Sequence, residues 1–334
     1  MIVSIAQADP LCPPPPSNPF FDAGAGLWEF SRYADVLAAF REPNLWPVAP
    51  RKTKNFKIPD EAAQHALRAQ ILAAFSTTQF NEWHAKIAQV ADSLPLAGRL
   101  DLVSEFAEPW CLAVAEIVTG SAAGDRESLL AAARIVSRAA AEPMDESLRR
   151  QATQADAELA RYFQASPLPM PGPIFVALSR TVACLLANGW LALLRNPAEL
   201  ARLRANPELT PKAVEEILRY ACIPQSVFRY ASRSIVLCGL QIAEGDRVIL
   251  RLASANRDPL QFPEPDRFDI PRSGAAHLSL GFGLHPCAGG ALIRMAVTAA
   301  TKLFVQRFGG VEIRGQVEWE GGSAFLSPSA LRVN

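Results

Sequence analysis

The chain has 334 residues, half of them apolar, and its 33 basic and 33 acidic side chains leave no formal net charge. That length is enough for a substantial core, and the balanced charge excludes binding to nucleic acid through a broad positive field. Six cysteines are scattered without a CxxC pair, which suits a reducing compartment and predicts a cytoplasmic protein.

Residues 1–26 are rich in proline and glycine and are expected to be an irregular surface segment. The start, Met1-Ile-Val-Ser-Ile-Ala, lacks the basic residues and sustained apolar run of a signal peptide. Leu27 to Phe40 predicts a short strand followed by a helix. Helical periodicity dominates from Asp60 to Gly120, with a break near Pro95, and alanine-rich helices are expected over 121–165. Pro167-Leu-Pro-Met-Pro-Gly-Pro then breaks the chain before a long apolar helix from about Ile174 to Leu194. No segment is expected to span a membrane. Another helix is expected from Pro211 to about Ala221. After Arg229 the pattern changes: Ile235 to Gln241 and Arg247 to Leu252 read as short strands around a Gly245-Asp246 turn, and Val311 to Asn334 is strand-rich. The expectation is one mainly α domain over 1–334 with a small β portion.

The most informative stretch is Leu280-Gly281-Phe282-Gly283-Leu284-His285-Pro286-Cys287-Ala288-Gly289, which runs into the helical sequence Ala291-Leu-Ile-Arg-Met-Ala-Val. Glycines let the backbone pass close to a flat ligand and let amide N–H groups point at the sulfur. The dipole of the following helix favours a thiolate over a thiol. A lone stabilised thiolate is what an iron porphyrin needs as an axial ligand. Taken alone, such a loop also suits a buried turn with an inert thiol.

This loop resembles the heme loop of the cytochrome P450 family, Phe-Gly-x-Gly-x-(Arg/His)-x-Cys-x-Gly. Gly281, Gly283, His285, Cys287 and Gly289 fit it, and Leu280 stands where a phenylalanine normally packs beside the sulfur. The resemblance implies a heme b cofactor with Cys287 as iron ligand and Leu280, Gly281, Phe282, His285 and Gly289 around it. It extends over the C-terminal half. Glu216 and Arg219 are three apart on one helical face, a spacing that is also common in solvated surface pairs. By the family's pattern Arg267 is their third charge partner, and Arg229 binds a heme propionate. Upstream the likeness is weaker. Counting back from Phe75, Arg68 falls on the family's propionate-binding arginine and Gln64 on its histidine, so His65 reads as an ordinary helical residue.

Two departures matter. Over the distal face of the heme the family usually carries Ala/Gly-Gly-x-Asp/Glu-Thr, and the equivalent here is Ala177-Leu178-Ser179-Arg180-Thr181. Thr181 keeps the alcohol of the proton relay. Arg180 replaces the acid and cannot relay protons, since it does not deprotonate at ordinary pH. Arg180 therefore either binds a substrate carboxylate or pairs with another part of the chain. Upstream of Thr181 the chain is also shorter than the family norm, which predicts an open distal side or one covered by a partner or a second copy.

The resemblance implies a mainly α, P450-like fold truncated on its N-terminal, distal side. It implies monooxygenation of a small organic substrate with electrons from a separate ferredoxin- or flavodoxin-type donor. Thr181 and Arg180 are then catalytic candidates, and Ala177, Leu178, Val227, Phe228 and Phe325 candidates for the substrate pocket. Peroxide-driven or non-oxidative heme chemistry on a carboxylate-bearing substrate, or non-catalytic heme binding, are the alternatives.

Overall fold

A computed structural model describes residues 11–47, 61–90, 94, 99–142, 145–274, 276–283, 286–322 and 324–334. Regular structure begins with a hairpin of β1 (Phe20–Asp22) and β2 (Leu27–Phe30), so a strand lies inside the segment expected to be irregular. The Asp22 carboxylate accepts from the amides of Gly24 and Ala25 and turns the chain, a local signal that composition alone hides. Next come α1 (Tyr33–Arg41), β3 (Leu45–Trp46), α2 (Glu61–Ala74), α3 (Thr77–Val90) and β4 (Leu100–Asp101). A π-helical turn, Leu102–Ala107, opens α4 (Glu108–Thr119), which stops at Gly120. The helices α5 (Arg126–Ala141) and α6 (Glu146–Tyr162) pack on each other.

From Pro171 to Arg195 the backbone is helical throughout: α7 (Pro171–Val176), a π-helical segment at Ala177–Thr181, and α8 (Val182–Arg195). By length and composition alone this helix could cross a membrane, but 78% of its most apolar window is buried against the rest of the protein. Its apolar character therefore serves the core. Trp190 stacks on Phe304 with ring centroids 4.9 Å apart, and Phe106 lies against both Trp190 and Phe308. Aromatic packing of this kind adds about 0.5–1.5 kcal/mol per pair beyond area burial.

The chain continues through α9 (Pro197–Ala205) and α10 (Thr210–Tyr220) to β5 (Ser226–Ala231). The stretch expected as one strand over 235–241 is instead a tight hairpin. Its strands β6 (Ile235–Leu237) and β7 (Leu240–Ile242) reverse at Cys238 and Gly239, both at positive φ. After β8 (Arg247–Arg251) and the short α11 (Leu252–Ala255), an irregular segment leads to α12 (Gly290–Phe308). β9 (Glu318–Gly321), β10 (Leu326–Ala330) and β11 (Arg332–Val333) close the chain. The main sheet has the order β1-β2-β8-β5-β3, with β2 and β8 parallel. A large helical core and a smaller core beneath this sheet thus flank the segment that carries Cys287.

Candidate active site

The site is built on α10. Glu216 and Arg219 are almost fully buried, and a buried charge pair is tolerated only when its remaining hydrogen-bonding capacity is met. Arg219 meets this with all five of its N–H donors. Nε and Nη2 hold the two Glu216 oxygens at 2.8 Å. Nη1 reaches the carbonyls of Asn256 and Pro265 at 2.9 Å, and Nη2 also reaches that of Arg267 at 3.1 Å. Glu216 in turn accepts from the Asp269 amide at 2.8 Å.

The third charge partner differs from the expectation. Arg267 contributes only its backbone carbonyl, while its side chain is exposed and lies beside Glu264 and Asp269. Arg272 is the guanidinium that approaches Glu216, at 3.4 Å, and it gathers the carbonyls of Pro263, Glu264 and Arg267. Both arginines lie in an irregular segment without periodicity, so spacing could not choose between them.

Asn256 extends the same framework to the cysteine loop. It is fully buried, accepts from the Leu278 amide and donates to Ser279, whose hydroxyl reaches the Leu218 carbonyl on α10. Gly281 and Gly283 then adopt positive φ of 71° and 68°, where other residues are strained. At Gly283 a Cβ would also overlap the carbonyl oxygen of Phe40. The amide of Cys287 donates to the Leu280 carbonyl at 2.7 Å, closing the loop just before α12. Leu280 packs on the main core, and the exposed Phe282 ring lies under the Arg41 guanidinium at 5.2 Å. His285 lies outside the described residues, as do the side chains of Gln64 and His65.

Cys287 is open to one side. Burial on its other sides pushes the thiol pKa up, while a hydrogen bond from the Gly289 backbone and the charges of Arg68 and Arg294 pull it down. Burial prevails among these, so the thiol lies above its ordinary pKa. A bound metal cation would reverse this, because a coordinating thiol is deprotonated outright. Arg68 donates to the Pro286 carbonyl at 2.8 Å, which ties α2 to the loop. Arg294 is held through both Glu215 oxygens at 2.6 and 3.0 Å.

Arg229, on β5, is the clearest test of whether a porphyrin fits. It is buried, donates to the Phe228 carbonyl and stacks on Phe40, and no carboxylate pairs with it among the described residues. Burial alone drives its pKa down to about 10. An uncompensated buried guanidinium calls for an anion, and a heme propionate is one. Cys287, the Gly289 amide and Arg229 together fit the group.

Arg229 also lines an open cleft of about 450 Å³ together with Val227, Phe228, Phe325, Ala139 and Arg149. Val227, Phe228 and Phe325 therefore share one cavity. On the long helix, Leu178 is buried in the main core, while Ala177 and Thr181 are partly buried.

The anchoring role that the sequence leaves open for Arg180 does not hold in the structure. Its buried guanidinium pairs with Glu108 at the start of α4, and Nη2 lies 3.4 Å from Glu320 on β9. Burial requires those partners, and they leave the fork unavailable to a substrate carboxylate. Arg180 thus pairs with other parts of the chain, the second of the two roles the sequence leaves open. Sequence reading missed Glu108, Glu320 and Arg272, and for the first two no local signal exists.

A family model for cytochrome P450 matches residues 201–320. The chain is 30% identical over 337 residues to cytochrome P450 107B1 of Saccharopolyspora erythraea, covering 85% of this chain and 82% of that one. It is 29% identical over 326 residues to a vitamin D(3) 25-hydroxylase of Pseudonocardia autotrophica, covering 84% and 80%. Among solved structures, P450BioI in complex with an acyl carrier protein ligated to hexadec-9Z-enoic acid superposes with a TM-score of 0.82. There the identity is 26%, with coverage of 92% and 91%.

Proposed function

This chain belongs to the cytochrome P450 family of heme-thiolate monooxygenases, and on that premise we propose that Cys287 carries heme b in a cytoplasmic enzyme that oxidises a small organic molecule. Electrons come from a separate ferredoxin- or flavodoxin-type donor. When bound, the heme supplies the oxygen-activating iron. The observation that carries the reading is Cys287 itself, held at the head of α12 with an open sulfur and the Gly289 amide upon it.

The chain's own residues divide the remaining work. Arg229, with Arg68 beside the loop, neutralises the propionates by charge-assisted hydrogen bonds. The buried Glu216–Arg219–Arg272 cluster fixes the loop that presents the sulfur. Val227, Phe228 and Phe325 contact the substrate and exclude water. Thr181 has no hydrogen-bond partner for its hydroxyl among the described residues, so it is free to hold a water near the substrate. Arg180 holds the long helix against α4 and β9 and moves no proton.

The test is reconstitution with a ferredoxin and its reductase under isotope-labelled dioxygen. Transfer of one labelled oxygen atom to product, dependent on the donor, is the expected result. Equal turnover with peroxide alone and no dependence on the donor would overturn the donor assignment.

A further inference from the structure

The cleft beside Arg229 has a one-sided electrostatic lining. Its charged residues are two arginines, Arg149 and Arg229, and no carboxylate lines it among the described residues. The rest of the wall is largely apolar, formed by the carboxyl end of α5, by β5 and by the turn before β10. These parts are tied together, since the Ala324 amide donates to the Ala141 carbonyl and the Gln225 amide to the Ala324 carbonyl. The cleft is thus a built feature of the fold.

The two arginines differ in what they have left to offer. Arg229 is buried and, in the reading above, is taken by a propionate. Arg149 is exposed, and its guanidinium makes no hydrogen bond or ion pair among the described residues. Local helix chemistry does not account for it. Arg149 sits in the first turn of α6, where a cation opposes the helix dipole. Of the acids one turn earlier, Asp145 caps the Leu148 amide and Glu146, three residues back on the same face, makes no ion pair with Arg149 among the described residues, while Ala152 and Thr153 one turn later carry no charge. Arg180, the other guanidinium the sequence suggested for an anion, is engaged by Glu108 and Glu320.

We propose that Arg149 anchors the carboxylate of an amphipathic carboxylic-acid substrate, whose apolar body lies along Val227, Phe228 and Phe325. This rests on the P450 reading of the site and names its substrate class. The planar guanidinium meets a carboxylate through two parallel hydrogen bonds. Because the head group remains near solvent, the pair selects between an acid and its ester by roughly two- to fivefold in affinity, and the selection weakens with salt.

The experiment uses the heme-loaded protein as wild type, Arg149→Leu and Arg149→Lys, with dodecanoic acid and its methyl ester as probes. Binding is read both by the Soret shift and by equilibrium dialysis, which does not depend on a spectral change. The expected result is an acid preference of roughly two- to fivefold in wild type, reduced in Arg149→Lys and absent in Arg149→Leu. Equal affinities in wild type, no saturable binding of the acid, or a preference that survives in Arg149→Leu overturns the proposal. The ferrous–CO spectrum of each preparation separates the two levels. A thiolate-type band with no acid preference refutes the anchor alone, whereas absence of that band in wild type refutes the heme-thiolate reading beneath it.

Discussion

Replacing Glu216 by Gln tests the framework under the cysteine loop. The side chain keeps its shape but loses the charge that faces Arg219, itself 2% exposed, and the approaching Arg272. A buried guanidinium without its counter-charge costs about 3–5 kcal/mol. Unfolding entropy of about 2.1 cal/mol/K per residue, over 334 residues, gives about 0.7 kcal/mol/K, so the midpoint should fall by roughly 4–7 °C. Urea unfolding followed by far-ultraviolet circular dichroism should show a lower midpoint with unchanged slope. The double variant Glu216→Leu with Arg219→Met should recover part of the loss, because an apolar pair leaves no bare charge. A loss under about 1 kcal/mol for Glu216→Gln would refute the reasoning, since that is the scale of a solvated surface pair.

Gly283→Ala places a Cβ on the Phe40 carbonyl at a positive φ, and should cost at least about 2 kcal/mol, seen as a lower urea midpoint and weakened heme retention. Arg180→Asp would restore the family's acid but sets it beside Glu108 and Glu320; we expect a loss of about 2–4 kcal/mol in the same assay, not improved turnover. Burial raises the Glu215 carboxyl, but hydrogen bonds from His277 and Arg294 outweigh this and hold its pKa at about 2 against an ordinary 4.5. A depressed folded-state pKa stabilises above the unfolded value and is lost as pH falls through the folded one. Stability should therefore decline between about pH 4.5 and 2, and an acid titration of Glu215→Gln should show a shallower decline there.

The parts of this site legible in the sequence are those whose chemistry is local. The glycine-flanked Cys287 loop and the Glu216/Arg219 helical pair are contiguous patterns, and both sit on the elements that spacing predicts. Long-range pairing left no such trace. Arg180 finds Glu108 72 positions away and Glu320 140 away, so a residue that reads as a free guanidinium is in fact neutralised. The family's pattern points to Arg267, yet Arg272 approaches Glu216, because the pattern names a position and not the path that irregular backbone takes. The β1–β2 hairpin was hidden in a proline- and glycine-rich stretch because its turn depends on one aspartate. The long helix is apolar for packing, and only its neighbours distinguish it from a membrane span.

The central claim is that Cys287 holds the heme iron as a thiolate. Its most direct test is the ferrous–CO difference spectrum of the purified wild-type protein beside Cys287→Ser. A red-shifted thiolate-type Soret band in wild type, absent in the variant, is the predicted result. A band of the same position in both proteins, or one typical of a nitrogen ligand in wild type, would contradict it.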